Sequence, residues 1–116
     1  MKLLNMIKNI IVLSIILFSL NIKAQKIFSV DYASQADVKV FVVDYVSQAD
    51  VAVHKKDYAS QADGNKGAWF FVSYASQADK KIFFTDYASQ ADLKIFFVDY
   101  GSQAGWKNKS KSHLMY

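Results

Sequence analysis

Ten aspartates in two recurring columns are the residues of this chain with the most capacity for chemistry. Asp31, Asp44, Asp57, Asp86 and Asp99 form the first column, with Ser73 standing in for one member. Asp37, Asp50, Asp63, Asp79 and Asp92 form the second. Facing carboxylates can hydrolyse glycosidic bonds, and stacked carboxylates attract calcium. A hydrolase pair is normally unique, whereas here every copy carries the same two acids and nothing separates an acid from a base. For calcium, the glycine-rich nonapeptide of β-rolls and the EF-hand spacing are both missing. Antiparallel or staggered packing brings Lys39, Lys81 or Lys94 near an Asp of a neighbouring strand, and Lys and Asp flanking each apolar run also guard against aggregation. The expectation is that both columns cap and pair the backbone.

The serines could act as nucleophiles only beside a histidine base. Two histidines exist: His54 replaces a Phe in one copy, and His113 lies near the end of the chain. Phosphate loops, zinc clusters and dinucleotide fingerprints do not occur. The sequence therefore assigns no catalytic, cofactor-binding or metal-ligating residue, and no enzymatic activity is expected. Tyr32, Tyr45, Tyr58, Tyr74, Tyr87 and Tyr100 could stack on sugars or bases. At a fixed strand–corner junction they are expected to pack the corner and hydrogen-bond backbone across copies.

These columns exist because a thirteen-residue unit, cleanest as K-I-F-F-V-D-Y-A-S-Q-A-D-L, recurs six times. Successive tyrosines lie 13, 13, 16, 13 and 13 residues apart. A fixed period means a unit that cannot bury its apolar face alone. The apolar segments 26–30, 39–43, 52–56, 68–72, 81–85 and 94–98 are short and rich in β-branched and aromatic residues, so they read as strands. Alternation puts Phe28, Phe41, Phe70, Phe83 and Phe96 on one side and Ile27, Val40, Val53, Trp69, Ile82 and Ile95 on the other. Most strands are apolar on both faces and should be covered.

Between strands, the tetrads at 34–37, 47–50, 60–63, 76–79 and 89–92 have the S-x-x-D spacing of a helix N-cap. The strand resumes at once, so at most one helical turn fits. Each tetrad reads as a tight corner whose Ser and Asp side chains close the backbone. Thirteen is odd, so the corner must also reset which face points inward. Copy three carries His54-Lys55-Lys56, as expected of an exposed or edge strand, and this weakened copy admits a homo-oligomer. Three extra residues in Gly64-Asn65-Lys66-Gly67 divide the chain into three units, a longer crossing, and three more.

Residues 1–24 read as a secretory signal peptide: Lys2 and Lys8, an apolar run over 10–20, and a cleavage site after Ala24. That run is too short to span a bilayer. The expected location is secreted or periplasmic. Residues 25–106 form the repeat domain and 107–116 a basic tail, read as a solvated, frayed end. The net charge of +4 belongs mostly to the leader and tail; between them stand 8 Lys and 10 Asp. That balance predicts no nucleic-acid surface. With no cysteine, stability must come from packing and topology.

The repeated V-D-Y-A-S-Q-A-D-x-K-[IV]-F motif resembles that of the bacterial septoil knot family over residues 26 to about 106. Copy three departs from it at 53–56, and copy four at Ala68-Trp69 and Ser73. The resemblance implies a mainly β, compact, deeply knotted domain of the 7(1) type and carries over no functional residue. A physical route to such a fold is double winding: units one to three form an open coil, and units four to six fill its gaps. The functional expectation is an exported structural repeat domain without catalysis. The alternative is an envelope or extracellular binding module for polysaccharide, peptide or calcium through Asp, Gln and Tyr ladders.

Overall fold

The computed structural model describes residues 25–62 and 64–116; the leader expected over 1–24 and Asp63 lie outside the described residues. Each apolar segment forms a strand: β1 (Lys26–Ser29), β2 (Val38–Val42), β3 (Val51–Lys55), β4 (Ala68–Phe71), β5 (Lys80–Phe84) and β6 (Leu93–Phe97). A short β7 (Gly105–Trp106) follows. The order β4-β1-β5-β2-β6-β3 closes on itself through a β3–β4 pairing, and all six neighbours are parallel. The first three strands thus alternate with the last three around a closed barrel, as double winding requires.

The register explains how the chain manages this. Ser29, the end of β1, and Val38, the start of β2, are both level with Ile82 of β5. Val42 and Val51 are likewise both level with Ile95 of β6. Consecutive strands therefore run end to start at one level, two places apart, and the connector need only step across the strand between. In the second winding, Phe71 and Lys80 share the level of Ile27.

Every pairing shifts the register by two residues, which totals twelve over the six neighbours. A shear of twelve on six strands tilts them more steeply than the roughly 36° of an eight-stranded barrel of shear eight. An even shift also keeps inward residues inward across every pairing. Because the shift is uniform, equivalent positions of the six units form a closed ring at one height. The barrel has near-sixfold rotational symmetry.

Its interior is built in layers. Trp69, Ile27, Ile82, Val40, Ile95 and Val53 fill the middle one, all essentially inaccessible. Toward the strand ends, Phe71, Phe84 and Phe97 alternate with Ser29, Val42 and Lys55. The alternation lets three phenyl rings pack over the middle layer without crowding. Trp69 meets Phe71 edge-on at 6.3 Å, and the Lys55 ammonium lies 4.5 Å from the Phe97 ring centre.

Two expectations are corrected here. Copy three is not an edge: β3 pairs with β6, β4 and β7, and Val53 is fully buried. A closed ring has no edge for charges to protect, so His54-Lys55-Lys56 needs another explanation. The C-terminal segment is not frayed either. It forms a 3-10 helix, Lys109–Met115, and closes the other mouth of the barrel with Met115, which is fully buried. Gln25 Nε2 donates to the Met115 carbonyl at 2.9 Å, and Asn65 Nδ2 to that of Ser112 at 2.8 Å. Burying Met115 contributes roughly 1.5–3 kcal/mol, which outweighs the charge repulsion of three screened lysines.

Candidate functional site

The connectors carry nearly all the repeated polar groups. Each holds one turn of 3-10 helix, starting with Ala33–Gln35 and Val46–Gln48 and ending with Gly101–Gln103. The interior is full, so each connector crosses on the outside, as a strap. The first strap begins with Val30 N–H donating to the Ile82 carbonyl (2.8 Å) and ends with Asp37 N–H donating to the Lys81 carbonyl (2.8 Å), both on β5. Corresponding bonds place the second strap on β6, the fourth on β1 and the fifth on β2. The third begins on β4 through Lys56 N–H to the Trp69 carbonyl, and the sixth on β3 through Val98 N–H to the Val53 carbonyl. Straps of each winding therefore hold down strands of the other.

The second aspartate column does this holding. Asp37 Oδ2 accepts the Lys81 backbone N–H at 2.9 Å, Asp50 that of Lys94 at 2.8 Å, Asp79 that of Lys26 at 3.0 Å and Asp92 that of Lys39 at 2.9 Å. The expected Lys–Asp proximity is present, but it runs through backbone N–H groups and not the ammonium. Asp50 alone among these also makes an ion pair, with Lys111 at 3.4 Å. The capping expectation is corrected too. Tyrosine occupies the N-cap of each turn with no side-chain cap bond except at the sixth, where Gln103 reaches back to the Tyr100 N–H, and the Asp reaches across to another strand.

Beneath the straps lie the outward phenylalanines, half-buried. Val46 shares a cleft with Phe96, Ala59 one with Phe70 and Ala88 one with Phe41. The odd copy now makes sense. A Cβ on Gly101 of the sixth strap would come within 2.8 Å of Lys56 Nζ and 3.8 Å of His54 Nδ1. His54, Lys56 and the missing methyl of the strap above them belong to one crossing, while Lys55 lies over the Phe97 ring at the barrel mouth. His54 Nδ1 is buried at that crossing with no hydrogen-bond partner among the described residues. Gly105, where other copies have the clamping Asp, adopts φ 151° and starts β7 antiparallel to β3.

The tyrosines contradict expectation. Tyr32, Tyr45, Tyr58, Tyr74 and Tyr100 are each 67% exposed and Tyr87 65%. No tyrosine hydroxyl has a hydrogen bond to a described residue. Every first-column aspartate is exposed as well. The strap turns away from the barrel at these residues, since its alanines face the strand and its second Asp is committed to the clamp. Sequence reasoning took the junction for a packed corner because it lacked the strap geometry; the pairing of a polar Asp directly with each Tyr was the available signal for exposure.

Among the described residues, no three His, Asp or Glu side chains gather as a metal site would need. His113 Nδ1 lies against the Ser110 carbonyl, and neither histidine bonds to a strap serine among the described residues. No described helix is long and apolar enough to cross a membrane. A cleft of about 630 Å³ opens beside the sixth strap between Phe96, Asp99 and Trp106. Trp106 is fixed there by Nε1–H donation to the Asn65 carbonyl at 3.0 Å.

Residues 24–107 match the family model of the 7(1) septoil knot domain. Neither the curated proteins nor the solved structures contain a match.

Proposed function

The chain belongs to the septoil knot domain family, and from that premise we propose that it is an exported, non-catalytic structural domain whose working property is resistance to unfolding and proteolysis. The observation that carries this reading is mutual strapping. Each winding crosses over strands of the other, so neither can be peeled off separately. A protease needs an opened segment, and here opening one strap breaks pairings made by strands some forty to fifty residues away. Export rests on the leader-like sequence of residues 1–24; with no cysteine in the chain, topology must do what disulfides do elsewhere. Cell fractionation together with native-state proteolysis tests it. The expected product is extracytoplasmic protein that stays intact for hours under protease without denaturant. Rapid digestion, or an unprocessed cytoplasmic product, rejects it.

A second reading is favoured by one observation, the exposure of all six strap tyrosines. In it the domain is an envelope or extracellular binding module, presenting Tyr, Ser and Gln side chains on six sides and an Asp beside the Tyr on five. Calcium draws no support, since the described carboxylates do not gather. Polyanions such as nucleic acid are opposed by the aspartate beside five of the six tyrosines.

A further inference from the structure

Around the barrel the straps follow the order of the strands they cross, so the tyrosines run Tyr58, Tyr74, Tyr32, Tyr87, Tyr45, Tyr100. The uniform two-residue shift puts these equivalent positions at one height, on a single belt normal to the barrel axis. We infer that this belt is a multivalent surface for a neutral polysaccharide. The inference rests on the second reading above and names its ligand.

Ring exposure is the first argument. Each tyrosine is 65–67% exposed, and none of the hydroxyls is bonded to a described residue. An aromatic face stacks on the C–H face of a pyranose, and the phenol exchanges hydrogen bonds with its hydroxyls. The neighbours are the second. Each strap adds an exposed Ser and an exposed Gln, and all but the fourth an exposed Asp before the Tyr. These are acceptors and donors suited to a polyhydroxylated chain. Gln90 and Gln103 each accept one bond from their own strap, and the other Ser, Gln and Tyr side chains of the set make no hydrogen bond to a described residue.

Charge sets the class of polymer. An aspartate beside most of the rings repels nucleic acid, anionic lipid and acidic glycans, and it opposes insertion into an apolar phase. Shape sets the size. The belt is convex, so one sugar touches one ring and binds weakly, whereas a long chain touches several. Repeated weak contacts raise apparent affinity by roughly 10²–10⁴ without any new contact.

The test sediments the full chain with cellulose, chitin and an insoluble β-1,3-glucan, and separately with bacterial envelope fragments treated with glycan hydrolases or with protease. The expected result is co-sedimentation with at least one polysaccharide, competed by a soluble polymer of the same sugar and not by its monosaccharide. Combined Tyr32→Ala, Tyr45→Ala and Tyr58→Ala substitution removes every second ring and should weaken retention roughly 10²-fold at unchanged melting temperature. Should that variant misfold, NMR shifts of the tyrosine ring protons on titrating the unmodified protein with soluble glucan give the same answer. Tyrosine-dependent envelope binding that survives the glycan hydrolases and is lost with protease overturns the polysaccharide and leaves the binding reading standing. Envelope binding indifferent to the tyrosines, or no binding to any probe, overturns both.

Discussion

Asp37 and Lys81, forty-four residues apart, hold each other twice: the Asp37 carboxylate accepts the Lys81 N–H at 2.9 Å while the Asp37 N–H donates to the Lys81 carbonyl at 2.8 Å. The same reciprocal pair recurs at Asp50–Lys94, Asp79–Lys26 and Asp92–Lys39. Strand lysine and strap aspartate thus form the repeated joint between the two windings.

Asp37→Ala should lower stability by about 1 kcal/mol, the net worth of one partly solvated hydrogen bond. Asp37→Asn keeps an accepting oxygen and should cost less. Urea midpoints of the two variants check this; equal losses would show that charge, not acceptance, matters.

Gly67 has φ 81°, and an added Cβ would lie 2.4 Å from the backbone oxygen of Ala52. Backbone cannot yield as a side-chain tip can, so Gly67→Ala should cost more than about 3 kcal/mol. Gly64 shares the positive φ, but an added Cβ would meet only the flexible Lys66 side chain, at 3.8 Å, so Gly64→Ala should cost only about 1–2 kcal/mol. The difference in melting temperature separates backbone strain from steric overlap.

Met115→Ala should lower stability by about 2 kcal/mol, at the mild end of buried methionine truncation because a chain terminus can resettle. Deleting residues 108–116 should uncover the barrel mouth and raise binding of a hydrophobic dye. Unchanged dye binding would mean that the terminal segment is dispensable for closure.

His54→Phe restores the residue that the other outward positions carry and removes a buried nitrogen that has no partner among the described residues. A gain of about 1 kcal/mol is expected, read as a higher melting temperature. A loss would show that Lys56 and Gly101 have shaped the crossing around an imidazole.

Much of this architecture was legible in the residues. The column Ile27, Val40, Val53, Trp69, Ile82 and Ile95 separates from the phenylalanines by simple alternation, and it is the middle layer of the core. The loop at 64–67 marks where the second winding starts: the chain reaches Gln25, whose N–H donates to the Ala62 carbonyl, and turns back into the gap between β3 and β1. What local patterns could not convey was distance along the chain. Ser34 and Asp37 look like a cap because their spacing is that of one, yet the nearest free N–H for Asp37 belongs to Lys81. His54-Lys55-Lys56 looks like an edge because polar strands usually are, yet His54 and Lys56 lie under the sixth strap at Gly101 and Lys55 over the Phe97 ring. The tyrosines were misplaced for the same reason. Whether a junction is packed or exposed depends on which strand passes beneath it.

The interleaving also imposes a rule of parity on this gene. An ordinary solenoid can gain or lose one module at its end and still find a neighbour to stack on. Here a seventh module would have no vacant slot, and a five-module chain would leave a slit between two strands of the opposite winding. Duplication must therefore proceed by matched pairs, with a new offset loop at the midpoint. Molecules of this kind should come in discrete sizes.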